Sequence, residues 1–210
     1  MRRLYVVTHP ESVHHVSAIV GGWHDSELTD RGLHQAARIA GRIRELVPES
    51  SAVEVYSSDL TRAAQTARAI AQQLGTEPVL IEGLREKSYG EADGKPQAWL
   101  HDRFQPPPPV GDRMHHHEGV EGAETRHAFA SRVYDAVAAV LASPCAHQVI
   151  VTHGFALTFV VAAWIHLPLE SAGYVNMRSS SGGITVLEQD DFFHNRTLVC
   201  LNDTSHLTGA

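Results

Sequence analysis

Val6-Val7-Thr8-His9, near the start of the chain, and Ile150-Val151-Thr152-His153, near its end, are almost the same tetrapeptide. Each is a β-branched run that closes on a histidine, the pattern of a buried strand with a chemically able residue at its carboxyl end. In an open α/β sheet, ligands bind beyond the carboxyl ends of the strands. If the two strands are neighbours, His9 and His153 face one crevice. One strand-end histidine would be expected only to cap its strand and bond nearby backbone; two suggest function.

Outward from this pair, strands and helices alternate. Leu33, Ala36, Ala37, Ala40 and Ile43 recur at helical spacing, Ala52 to Tyr56 reads as a strand, and Leu60, Ala63, Ala64, Ala67, Ala71 and Leu74 mark a second amphipathic helix that Gly75 ends. Val79 to Ile81 reads as a strand. Phe129, Val133, Ala136, Val137 and Val140 carry a third helix, Gln148 to Thr152 a strand, Gly154 to Ile165 a helix, and Ile184 to Leu187 and Thr197 to Leu201 late strands. The alternation predicts a three-layer α/β fold with a largely parallel sheet and helices on both faces. One domain is expected over 1–210, with a lid-like excursion at about 90–122 that contains four consecutive prolines, Pro106 to Pro109.

Composition limits the alternatives. The chain has 210 residues, 17 basic and 24 acidic, for a net charge of −7, which argues against nucleic acid or an anionic membrane as partner. Its apolar runs are too short to span a bilayer. The first residues read as a strand and not as a signal peptide, and Cys145 and Cys200 form neither a disulfide framework nor a metal spacing, so the expected location is cytoplasmic. The 15 histidines are in excess and raise the question of which of them work.

Two more strand ends supply candidates. After Tyr56 come Ser57-Ser58-Asp59-Leu60-Thr61-Arg62, where Ser58 or Asp59 can cap a helix and Arg62 falls in its first turn. A guanidinium fork beside a helix N-terminus suits phosphate or carboxylate. After Ile81, Glu82-Gly83-Leu84-Arg85-Glu86 brings a carboxylate to the same rim, a candidate proton donor.

These residues resemble the histidine phosphatase superfamily, also called phosphoglycerate mutase-like, in order along almost the whole chain. Gly22-Trp23-His24-Asp25 with Leu28-Thr29-Asp30-Arg31-Gly32 is similar to the G-W-x-D-x-x-L-T-x-x-G segment, and Ser57 to Thr66 to S-x-L-x-R-A-x-x-T. Leu84-Arg85-Glu86 with Gly90 and Gly94 resembles the acid segment, Gly122-Ala123-Glu124-Thr125 leading to Arg132 the G-x-E-[ST] helix start, and Val151-Thr152-His153-Gly154 the second histidine motif. The first motif departs: R-H-G appears as Thr8-His9-Pro10, which removes one of two arginine clamps. Loss of a comparable transition-state donor costs about 3–4 kcal/mol in barrier. A protonated His15, flanked by His14, could restore part of the charge.

The resemblance implies hydrolysis of a small organic phosphomonoester through a phosphohistidine, with no metal and no cofactor. It assigns His9 as nucleophile, Arg62 and His153 as holders of the equatorial oxygens, and Glu86 as acid and then base. Thr8, His15, Gly22, Tyr89 and Gly154 are the expected substrate-binding residues. The partner would be a small phosphorylated metabolite; a homodimer is left open. Two other readings stay in play: a catalytically weakened phosphate-binding homologue, because of Thr8, and a phosphomutase, because Glu86-Lys87-Ser88-Tyr89-Gly90 is similar to the mutases' E-x-x-Y-G. The excursion lacks an adjacent arginine pair for a second anionic group, which favours hydrolysis, and its Trp99 and Phe104 suggest an apolar lid. His115-His116-His117-Glu118 reads as a solvated loop, since adjacent residues cannot all turn to one ion. His34, His127 and His166 are expected at the surface, Trp164 in the core, and the cysteines as small apolar fillers.

Overall fold

Residues 1–208 are described by a computed structural model. In chain order the elements are β1 (Arg2–Thr8), α1 (Val13–Val16), α2 (Asp30–Leu46), β2 (Val53–Ser57), α3 (Thr61–Leu74), β3 (Pro78–Leu80), α4 (Gln97–His101), α5 (Arg126–Leu141), β4 (His147–Thr152), α6 (Ala156–Trp164), β5 (Ile184–Gln189) and β6 (Arg196–Asp203). The six strands form one sheet in the order β3-β2-β4-β1-β5-β6. β3, β2, β4 and β1 run parallel, while β5 and β6 are antiparallel additions. The sheet is therefore mixed, with its parallel part at the histidine strands.

Strand alternation divides the core. Leu4 and Val6 face a layer made by α5 and α6, whereas Tyr5 and Val7 face α2 and α3. β1 and β4 are neighbours in register, Val6 opposite Ile150 and Thr8 opposite Thr152, so His9 and His153 leave the sheet side by side.

The helices follow the apolar spacing with local exceptions. All five residues that mark the third helix of the sequence, Phe129 through Val140, are buried on α5, and Trp164 is fully buried on α6. On α2 the inward face is Gln35, Ala36, Ile39, Ala40 and Ile43, and Leu33 points outward. Ser58 and Asp59 do not cap α3. Leu60 holds the cap position, and the Asp25 carboxylate accepts from the Thr61 backbone N–H (2.7 Å) and hydroxyl (2.8 Å) instead. Gly75 closes α3 in the left-handed conformation, at φ 69°, where a Cβ would be strained.

The excursion is packed. Val20, Ala92 and Val120 form a small buried cluster of their own, which Tyr89, Trp99 and Leu100 cover. Lys87, fully buried, pairs with Glu118 and lies 4.5 Å from the Tyr89 ring centre, which fastens the far end of the excursion to the Glu86 segment. The cysteines are half-buried and not core fillers; the Cys145 thiol reaches the Ala52 and His147 carbonyls.

Candidate active site

The carboxyl end of the β1–β4 pair opens into a cavity of about 540 Å³. Thr8, His9, His15, Gly22, Arg62, Glu86, Tyr89, His153 and Gly154 all line it. Its chemistry is set by how each side chain is held.

His9 has its tautomer fixed from two sides. Its Nδ1 donates to the Pro10 carbonyl (2.9 Å), and its Nε2 accepts from Arg62 Nε (3.3 Å), so the lone pair lies on Nε2. Burial, and then the charge of Arg62, lower the imidazole pKa well below its ordinary value. A neutral ring with an unprotonated Nε2 is the form a nucleophile needs.

Arg62 is buried in the first turn of α3. Its Nη1 donates to the His24 carbonyl (2.8 Å) and its Nη2 to the Gly22 carbonyl (2.7 Å), so the Gly22–Asp25 turn aims the guanidinium at His9. Burial lowers its pKa to about 10, which leaves it charged at neutral pH. Gly22 is required by that turn: its φ is +40°, and a Cβ would lie 1.8 Å from an Asp93 carboxylate oxygen.

His153 contacts the Ser58 hydroxyl through Nε2 (2.8 Å), and its buried Nδ1 has no protein partner. Its ring centre is 5.1 Å from that of His9. Burial, with Arg62 and His9, pushes its pKa well below the ordinary value.

Glu86 sits at the amino end of α6. Its carboxylate accepts from the backbone N–H of Phe155 (2.9 Å), Ala156 (3.1 Å) and Lys87 (3.0 Å). Those bonds favour the charged form, yet desolvation outweighs them and the pKa is raised. The Glu86 backbone is held as firmly: its carbonyl accepts from Trp23 Nε1 (2.8 Å) and from Arg132 Nη2 (3.1 Å).

Two of these lining residues are held in ways that bear on their expected roles. Thr8 lines the cavity, but its hydroxyl donates to the Ser180 carbonyl (2.5 Å) and accepts from the Gly183 N–H (3.1 Å). It serves the strand edge. For His15, burial and Arg62 lower the pKa, which works against a role as substitute cation, and its ring stacks against His9 at 5.4 Å. The lid differs too. Trp99 packs on the Val20 cluster under the Arg103 guanidinium, Phe104 is exposed, and only Gln97 of the excursion reaches the cavity.

The sequence reading missed much of the wall: His14, Ala18, Ile19, Gly21, and above all Ser179, Ser180 and Ser181. The serines precede β5, whose antiparallel pairing sets Ile184 opposite Val7 and returns them to the end of β1. Their signal was a small polar run before a late strand, Ser179 to Gly183.

A three-layer α/β fold with two histidines, a buried arginine and a desolvated carboxyl at its strand ends defines a phosphate-handling protein. The histidine phosphatase superfamily (branch 1) model matches residues 4–204, and the chain belongs to that family. It is 31% identical to "Putative phosphoserine phosphatase 2" of Hydrogenobacter thermophilus, over 98% of each chain. It is 27% identical to "Probable phosphoglycerate mutase GpmB" of Yersinia pestis, over 99% of this chain and 95% of that one. Among solved structures, a mycobacterial glucosyl-3-phosphoglycerate phosphatase complexed with VO3 superposes with a TM-score of 0.78 at 25% identity, covering 97% of this chain and 100% of that one.

Proposed function

We propose that this chain hydrolyses a small organic phosphomonoester through a phosphohistidine on His9. The phosphatase class rests on its family and on the phosphatases it is similar to. The observation that carries the mechanism is the fixed His9 tautomer, with Nε2 unprotonated beside a buried, charged Arg62.

In the first half-reaction His9 Nε2 attacks phosphorus in line while the bond to the leaving oxygen breaks. Arg62 balances the charge spread over the equatorial oxygens, and His153 Nδ1, otherwise unpartnered, donates to one of them. Glu86, whose pKa is raised by desolvation, gives its proton to the leaving alcohol. In the second half-reaction the Glu86 carboxylate takes a proton from water, which attacks phosphorus and frees His9 and inorganic phosphate. No step calls on a metal or cofactor.

Arg62 is the only cationic side chain other than histidine that lines the cavity among the described residues. A mutase must hold a second anionic group, so hydrolysis is favoured. Gln97, Tyr89, Ser179, Ser180 and Ser181 form a neutral, polar wall suited to an uncharged, hydroxyl-bearing alcohol. The two unpaired cysteines fit a reducing cytoplasm.

The test is turnover of p-nitrophenyl phosphate, with acid-labile phosphate trapped during the reaction. Loss of both in H9A is expected. Trapped phosphate on His153 would reverse the assignment. Phosphate binding without turnover in the wild-type protein would favour the weakened homologue, for which the diverted Thr8 hydroxyl is the specific argument.

A further inference from the structure

Among the described residues, two groups of side chains each bring three ligating atoms within 4.8 Å of one another: His9, His14 and His15 in the cavity, and His115, His127 and Glu170 away from it. Charge separates them. The first contains no carboxylate, and Arg62 Nε lies 3.3 Å from His9 Nε2, so a cation there would meet a buried guanidinium. The second contains Glu170, and Asp112 stands behind His115.

Local folding builds the second group. The Asp112 carboxylate accepts from the backbone N–H of Met114 (2.9 Å) and His115 (3.1 Å), which turns the chain so that Met114 enters the main core. The Met114 carbonyl then accepts from the His127 N–H (2.8 Å) at the start of α5. This docking places the His115 and His127 rings 4.6 Å apart and nearly parallel, at 25°. Glu170, on the 3₁₀ turn Leu169–Tyr174, reaches His127 Nε2 at 3.3 Å. His115 Nδ1 bonds Asp112 (3.0 Å), which leaves Nε2 available to an ion. His115 and Glu170 both line a cleft of about 330 Å³.

We infer that His115, His127 and Glu170 bind one divalent transition-metal ion of the zinc class, with Asp112 orienting His115. Two imidazoles and a carboxylate are a zinc donor set, and water fills the fourth position. A carboxylate behind a ligating histidine is the usual second layer of such sites. The nearby cation, Arg113, lies over the Tyr174 ring at 4.7 Å, and Arg126 is turned to the Ala172 and Val175 carbonyls. Glu170 supplies the carboxylate ligand, Asp112 adds a second negative charge behind His115, and the three ligating atoms already lie within 4.8 Å of one another. The ion fastens residues 112–115 of the excursion to α5 and to the Leu169–Tyr174 turn. It takes no part in the phosphatase chemistry.

The test is calorimetric titration of the full chain with zinc chloride, and thermal melts with zinc or with EDTA, for the wild type, H127Q, E170Q and D112N. One zinc per chain is expected, with a raised melting temperature. H127Q and E170Q should lose at least about tenfold in affinity, and D112N about 10–100-fold. Melts in EDTA that match the wild type show that the variants are folded; if one ligand variant melts lower, the other and the exposed D112N carry the comparison. Absence of zinc binding by the wild type, or unchanged binding in all three variants, overturns the inference. Zinc that still binds H127Q and blocks turnover would place the ion on His9, His14 and His15 and overturns it as well.

Discussion

Thr8 shows what one buried side chain at the end of a central strand does. Its hydroxyl links β1 to the Ser180–Gly183 segment, and so to the serine wall of the cavity. T8V keeps the volume and removes both bonds. Urea unfolding should register a loss of about 1–3 kcal/mol, the cost of leaving buried backbone groups unpaired, and T8S should restore most of it. Glu86 is the second decisive residue. On the proposed mechanism Glu86 works when protonated, so the rate should fall as pH rises through its raised pKa, and E86Q should abolish that limb while lowering turnover by about 10²–10⁴-fold on alkyl phosphates. On the same mechanism His9 works when neutral, and its lowered pKa should move the opposite limb below about pH 6.5. A pH–rate profile of wild type and E86Q checks both signs.

At the scale of elements, the acid segment depends on α5. Arg132 donates to the carbonyls of Gly83, Arg85 and Glu86 while paired with Glu124, so one guanidinium holds the whole 83–86 turn. R132M should cost about 2–3 kcal/mol in stability, in the range of bonds to charged groups, and should lower turnover even where the protein remains folded. G22A should act through the neighbouring turn: the added Cβ displaces Asp93 or shifts the Gly22 carbonyl from Arg62, seen as a drop in turnover larger than any rise in KM. Such dependence explains what could be read in advance. The apolar spacing of α5 and the strand-end histidines are local patterns, and the nine proposed site residues converge on one cavity. The α3 cap and the serine wall are set by partners distant in sequence: Asp25 reaches Thr61, and β5 returns antiparallel to β1. Neither pairing has a signature in the segments themselves.

For the whole molecule, the buried histidines link catalysis to acid stability. His9, His14 and His153 have folded pKa values below the unfolded value of about 6.5, that of His14 near 3. Between those limits the unfolded chain binds protons that the folded chain refuses. Stability is therefore full above about pH 6.5 and lost as pH falls, by up to about 1.4 kcal/mol per pH unit for each group. The raised pKa values of Glu86 and Asp93 oppose this at lower pH. Urea midpoints should decline below pH 6.5, and H14Q should decline less steeply. The central position of β1 has a different consequence, for biosynthesis. Leu4-Tyr5-Val6-Val7 is synthesised well before both of its sheet neighbours, β4 and β5, which lie beyond residue 146. At about 5–20 residues per second, this apolar segment waits on the order of ten seconds with both edges unpaired. A nascent chain stalled before β4 therefore presents its most buried strand to chaperones, and His9 has no His153 beside it until β4 has been made.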